Sequence, residues 1–177
     1  MSIEENRAVA RQVLEDVVNQ GRLELVDQIY AHAFEFDDPT AGQTITTHEG
    51  IRELARDIRT RTPDVAFLIE QEIAEGDAVV HRWTASGHDA RTSRFWTAPG
   101  ISIYHLYEGR IVSEYVLPDR LGLFRQLGMA PTAEQPVGAE NLCHLAGCSA
   151  DRWLLGHASG ICQAGLGLPG HGMIFGL

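Results

Sequence analysis

The hydrophobic period of this sequence changes near residue 63, and that change most limits what the chain can fold into. Before it, apolar residues recur every three or four positions, the spacing of one face of a helix. After it, β-branched and aromatic residues dominate four runs that are separated by turn residues. The sequence therefore predicts helices first and a sheet second, which is an α+β arrangement.

Three helices are predicted ahead of the sheet. Ser2 and Glu5 have the spacing of a capping box at the start of the first helix, and Thr46 with Glu49 repeats it at the start of the third. Pro39 keeps the residue before it out of helical geometry, which predicts a short extended piece between the last two helices. The predicted helices span residues 2–21, 23–31 and 46–62, and the extended piece spans 34–39.

Glycine turns join the predicted strands. Gly76 and Gly109 each lie in a short polar turn between two runs, which is typical of antiparallel hairpins. Asp119 is placed to cap a last short helix and Gly128 to end it. A curved antiparallel sheet of this kind can enclose an internal pocket. The predicted strands span 65–73, 78–87, 93–107 and 110–117.

The charge of the chain argues against several classes of partner. A formal net charge of -10 and a pI near 5.2 oppose the counterion release that drives nucleic-acid binding, so we expect no nucleic acid and no membrane surface as a partner. The N-terminus lacks the basic and apolar pattern of a signal peptide, and no apolar run reaches the length of a membrane span. We therefore expect a cytoplasmic protein.

The chain divides by composition into a domain of residues 1–129 and a C-terminal extension of residues 130–177. The extension holds nine of the eighteen glycines and all three cysteines, and it shows no clear period. It is a flexible extension, a segment that pairs with a second protomer, or an accidental extension of the reading frame. Its Cys and His spacings match no standard zinc motif, so we expect no metal site. The residues concerned are Cys143, His144, Cys148, His157, Cys162 and His171.

Three segments in the second half of the domain carry a resemblance to a known family. Glu75–His88, Glu108–Tyr115 and Asp119–Gly128 resemble the SnoaL-like polyketide cyclases of the nuclear-transport-factor-2-like superfamily, and the similarity covers about residues 5–129. The resemblance implies a cone-shaped, curved antiparallel sheet with about three N-terminal helices on its concave face and an internal pocket. It also implies a homodimer built on the outer face of the sheet.

The resemblance and strand alternation place three candidate catalytic residues on the pocket side. Asp38 matches an aspartate that ether-forming relatives use; otherwise it is a turn residue before proline. Glu114 lies in an otherwise apolar strand, where an inward position would raise its pKa and make it a general acid, and an outward one would leave it solvated. His81 can act as a base or as a donor to an oxyanion; otherwise it is a structural histidine.

Aromatic side chains are the candidate substrate-binding residues. Phe36, Trp83 and Tyr104 would give the pocket flat apolar walls, with the Tyr104 hydroxyl available to orient a carbonyl; their alternative role is core packing. Val116 stands where the resemblance places the catalytic aspartate of SnoaL-type aldol cyclases. Trp83 and Ala85 replace an arginine and an aspartate of limonene epoxide hydrolase, which disfavours that reaction.

The leading hypothesis is a cofactor-independent cyclase that closes a ring in a polyketide-like natural-product intermediate. Residues 1–129 contain neither a glycine-rich phosphate loop nor a complete set of metal ligands, so we expect no cofactor. A pocket protein that binds a small molecule without converting it is the first alternative, and the missing acid at Val116 supports it. An isomerase or epoxide hydrolase acting on a terpenoid or steroid is the second.

Overall fold

The first helix begins where the sequence predicts. The computed structural model describes residues 2–129, and in it Ser2 and Glu5 form the predicted capping box at the start of α1 (Ile3–Gln12). The backbone then continues as a π-helical segment, Val13–Asn19, which hydrophobic periodicity does not reveal. One side of this segment is buried and faces the sheet: Val13, Leu14, Val17 and Val18.

The second predicted helix is wrong in its last part. A 3₁₀ turn, Leu23–Leu25, leads into a single turn α2 (Val26–Ile29), and strand β1 (Tyr30–Asp38) then begins. Tyr30 pairs with Ile111 on a strand far along the chain. Pairing with a strand far along the chain can override a local helical pattern. The spacing of apolar residues near Tyr30 gives no indication of this pairing.

The third helix, α3 (His48–Arg61), has a different cap from the predicted one. The side chain of Thr47, rather than Thr46, accepts a hydrogen bond from the backbone N–H of Gly50 at 3.1 Å. Ahead of the helix, a short strand β2 (Gln43–Ile45) pairs with β1. The sequence does not predict β2, because three residues are too few to show a period.

The four predicted strands are confirmed. They form β3 (Ala66–Glu75), β4 (Ala78–His88), β5 (Phe95–Tyr107) and β6 (Arg110–Pro118), each antiparallel to the next. The six-stranded sheet has the order β2-β1-β6-β5-β4-β3. Because β1 runs parallel to β6, the sheet is mixed, whereas the expectation was a purely antiparallel one.

The last helix, α4 (Arg120–Leu127), is capped by Asp119 and ends at Gly128, as predicted. Gly128 has a φ of 72°, in the left-handed region that favours glycine. The architecture is the expected α+β one, with buried side chains of β4 and β5 facing the helices. No helix within residues 2–129 is long and apolar enough to cross a membrane. The predicted extension, with its candidate zinc ligands, lies outside the described residues.

Asn19 fastens the end of the π-helical segment to β3. Its side-chain amide donates to the backbone carbonyl of Phe67 at 3.0 Å and accepts from the N–H of the same residue at 2.8 Å. Because β3 lies at the edge of the sheet, Asn19 satisfies backbone groups that have no neighbouring strand.

Asn19→Asp should lower the free energy of unfolding by about 1 to 3 kcal/mol, because a carboxylate oxygen would then face the Phe67 carbonyl without a donor. Gln20→Glu makes the same chemical change at the next, exposed position and should cost less than about 0.5 kcal/mol. Urea unfolding of the two variants measures the difference. Equal losses would show that Asn19 does not hold β3.

Candidate active site

A cavity of about 1000 Å³ lies between the inner face of the sheet and the helices. Its walls are mostly apolar and come from the π-helical segment, α3, the sheet and α4. A volume of this size accommodates a small organic molecule. The predicted pocket residues that line it are Phe36, Asp38, Trp83 and Glu114.

Glu114 is a buried carboxyl of this cavity. Its side chain is 3% exposed, and the Tyr30 hydroxyl donates a short hydrogen bond to its Oε2 atom. Burial raises the pKa of Glu114 to about 7, although the neighbouring phenols of Tyr30 and Tyr104 oppose the rise. Of the two positions that the sequence left open, the structure shows the inward one that the resemblance implied, with the raised pKa expected for it. At neutral pH the carboxyl is present in both protonation states.

A bulge in β6 sets the direction of this carboxyl. Glu114 is paired with Tyr104, but the register shifts between His105 and Leu106, so that Ile111 also faces inward. Strict alternation from Glu114 would place residue 112 inward instead. The bulge therefore lets an acid and a core isoleucine share one face of the strand.

His81 and Tyr104 are buried on the same inner face, but neither is among the described residues that line the cavity. Their rings meet edge to face, with centroids 5.2 Å apart. The Nε2 atom of His81 lies 2.8 Å from Glu72, which also binds Arg11. Burial lowers the pKa of His81 against the effect of Glu72, so the imidazole is neutral at pH 7.

Asp38 has a partner that the sequence analysis missed. Arg120, the first residue of α4, donates to the Oδ2 atom of Asp38 and, at 2.8 Å, to the hydroxyl of Thr40. Burial raises the pKa of Asp38, but the hydrogen bonds from Arg120 and Thr40 outweigh it and hold that pKa below its ordinary value. Asp38 is therefore an ionised carboxylate in the cavity wall.

Trp83 forms a flat part of the wall. Its indole packs edge to face with Phe67, with centroids 4.9 Å apart, and its Nε1 atom donates to the Ser102 hydroxyl at 3.0 Å. The ring lies over Gly100, where a Cβ atom would come within 2.2 Å of it. Gly100 thus lets the indole lie against the sheet, which keeps the cavity open above it.

Comparison with known proteins identifies the family. A family model described as SnoaL-like polyketide cyclase matches residues 8–127. The chain belongs to this family. No curated protein matches it.

Solved structures share the fold. TsrD from Streptomyces laurentii has 22% identity and a TM-score of 0.66, over 73% of this chain and 99% of TsrD. A candidate polyketide cyclase from Acidithiobacillus ferrooxidans has 26% identity and a TM-score of 0.61, over 74% of this chain and 100% of its own. AclR from Streptomyces galilaeus, a candidate hydroxylase, has 15% identity and a TM-score of 0.64, over 73% of this chain and 100% of AclR.

The candidate site of this SnoaL-like chain contains residues that sequence reasoning did not find. Tyr30 lies in the predicted helix 23–31, and nothing in the sequence around it indicates a contact with Glu114. Arg120 carried a signal, because a cation in the first turn of a helix is unfavourable beside the positive end of the helix dipole and needs an acidic partner. Val116, the residue that stands where the resemblance places the catalytic aspartate, lines the cavity and is paired with Ser102.

The raised pKa of Glu114 makes the stability of the protein depend on pH. The folded state keeps the proton up to about pH 7, whereas the unfolded chain loses it near 4.5, so the Glu114 contribution to stability falls as pH rises between these values. Glu114→Gln removes this dependence. From pH 5 to pH 8, the unfolding free energy of the wild type should fall by roughly 2 to 3 kcal/mol relative to the variant, measured by urea unfolding. If the difference in unfolding free energy between the wild type and the variant does not change with pH, the pKa of Glu114 is ordinary.

Proposed function

We propose that this chain is a cofactor-independent cyclase that encloses a largely apolar, polyketide-like intermediate and promotes intramolecular ring closure. The observation that carries the proposal is Glu114, a buried carboxyl with a pKa of about 7 that lines a mostly apolar cavity. Membership of the SnoaL-like family supports the reaction class.

Confinement supplies much of the rate acceleration in this proposal. A cavity of about 1000 Å³ restricts the conformations of a flexible substrate and brings its reacting ends together. Holding two groups in reactive geometry can lower a barrier by roughly 7 to 11 kcal/mol. Few catalytic side chains are then needed. The proposal is therefore compatible with Val116, an apolar residue where the resemblance places a catalytic aspartate.

Glu114 acts as the general acid. In its protonated form it donates a proton to a substrate oxygen as the ring-forming bond develops, and Tyr30 hydrogen-bonds the carboxylate that remains. A pKa near the working pH favours proton transfer in both directions. The proton returns from the product or from water, so that the cycle closes without another reactant.

Asp38 and His81 have supporting roles. Asp38 holds the Arg120 guanidinium in the cavity wall, where it can contact a polar oxygen of the substrate. His81 packs against Tyr104 behind the wall and positions this phenol beside Glu114. Neither residue is assigned the transferred proton.

Glu114→Gln keeps an oxygen that accepts the Tyr30 hydrogen bond but removes the acid. Ring closure of a linear polyketide-like substrate should slow by about 10² to 10⁴-fold, with substrate binding retained. Glu75→Gln makes the same change at an exposed site and should leave the rate unaltered. Product formation is followed by liquid chromatography and mass spectrometry.

Other results would contradict the assignment. An unchanged rate in Glu114→Gln would exclude the acid role. Tight binding of linear substrates without conversion by the wild type would favour a pocket protein without catalysis, the function that Val116 in place of the family's aspartate supports. Conversion of a terpenoid or steroid alone would favour an isomerase or epoxide hydrolase.

We also propose a homodimer through the outer face of the sheet. Apolar side chains of β5 and β6 form adjacent cross-strand pairs on this face, Ile101 with Leu117 and Ile103 with Tyr115. Ile101 and Leu117 are 43% and 45% exposed. Contiguous exposed apolar surface of this kind is typical of a protein interface.

Ile101→Glu should convert the dimer to a monomer, because like charges would face each other across a two-fold interface. Leu121→Glu, at a similarly exposed apolar position on α4, is the control and should leave the mass unchanged. Size-exclusion chromatography with light scattering measures the mass. A wild-type monomer, or a dimer that survives Ile101→Glu, would contradict this interface.

A further inference from the structure

The Ser102 hydroxyl lies on the inner face of β5 and lines the cavity, diagonally across the sheet from Trp83 on one side and Glu114 on the other. It is buried, 1% exposed. Within residues 2–129, its only hydrogen bond is the one that its oxygen accepts from the Trp83 indole at 3.0 Å. A serine hydroxyl can donate one hydrogen bond and accept two, so the donor of Ser102 is uncommitted.

The nearest alternative acceptor does not take this donor. A hydrogen bond from Ser102 to the Tyr104 hydroxyl would oppose the rise in the pKa of that phenol. The Tyr104 hydroxyl nevertheless has no hydrogen-bond partner within the described residues. The Ser102 hydrogen is therefore available to a molecule in the cavity.

Trp83 fixes the direction of this donor. An indole N–H can only donate, so it occupies one lone pair of the Ser102 oxygen and leaves fewer orientations for the hydroxyl hydrogen. The indole is itself held by Phe67 and by its close approach to Gly100. The hydroxyl is thus oriented before any ligand arrives, which lowers the entropy lost on binding.

Ser102 also lies near the acid. Its cross-strand partner is Val116, and Glu114 is the residue two positions earlier on the same strand. Diagonal neighbours of this kind are about 7 to 8 Å apart, within reach of one small polar group placed between their side chains. Because Val116 is apolar, Ser102 faces the cavity without a carboxylate opposite it.

We propose that Ser102, positioned by Trp83, binds the carbonyl oxygen of an apolar ketone in the cavity. The inference rests on the proposed function for its place in a reaction, where this hydrogen bond would stabilise the negative charge that develops on the oxygen as the ring closes. The binding site itself needs no turnover. Ser102 is the residue that contacts the ligand, and Trp83 is a positioning residue.

The test compares 2-tetralone with tetralin, which has the same ring skeleton but no carbonyl group. Isothermal titration calorimetry gives the ratio of their affinities for the wild type, Ser102→Ala, Trp83→Phe and the double variant. Ser102→Ala should lower the ratio by about three- to tenfold, the value of one hydrogen bond between neutral groups. Ser86→Ala, on the outer face of β4, should leave the ratio unchanged.

Trp83→Phe keeps a flat ring but removes the N–H that orients Ser102. It should therefore lower the ratio of 2-tetralone to tetralin affinity only by its effect on Ser102. The double variant should then match Ser102→Ala, whereas independent effects would add. The carbonyl stretch of bound ¹³C-labelled 2-tetralone should lie at higher wavenumber in Ser102→Ala than in the wild type. A structural role of Ser102 would not move this band.

The proposal is overturned if the wild type binds 2-tetralone no better than tetralin, or if Ser102→Ala leaves the affinity ratio and the carbonyl stretch unchanged. Additive effects of the two substitutions overturn the positioning role of Trp83. These outcomes are separate from the cyclase proposal, since an inactive Glu114→Gln variant would still bind the ketone through Ser102. Loss of the carbonyl preference would leave the acid role of Glu114 intact.

Discussion

The hydrogen bond between Tyr30 and Glu114 is the contact on which the rest of the site depends. It joins the first residue of β1 to the middle of β6, the two strands that form the parallel pair of the sheet. A buried carboxyl without a partner would be costly, and this phenol provides the partner, while burial keeps the proton on the carboxyl up to about pH 7. Tyr30 is also the residue at which β1 follows the N-terminal helices, and it lines the cavity.

Asp38 and Glu114 are two of the carboxyls that line the cavity, and their surroundings give them opposite character. Asp38 is held ionised by Arg120 and Thr40, whereas Glu114 has only phenols beside it and is protonated through much of the acidic range. In active sites, two carboxyls whose surroundings give them different pKa values often act as the acid and the base of the reaction. Here the different surroundings separate a charged part of the wall from the carboxyl that we propose as the proton donor.

The inner face of the sheet keeps space for a substrate at a cost in packing. Small residues leave room on this face, as where Gly100 receives the Trp83 ring and where Ala85 is paired with Ala98. A cavity in the middle of a core forgoes van der Waals contacts that a filled core would make. The buried polar groups Ser102 and Glu114 add a further cost, because each must be taken out of water.

The sequence by itself determined the four strands β3 to β6, their turns, and the caps of the first and last helices. These follow from local rules, because strand alternation and capping act between residues a few positions apart. Only the tertiary structure decided that Tyr30 is a strand residue bound to Glu114, that Arg120 holds Asp38, and that β1 runs parallel to β6. These contacts join residues about 80 positions apart. No periodicity within a short window records them, since they are selected by packing and by the need of a buried charge or polar group for a partner.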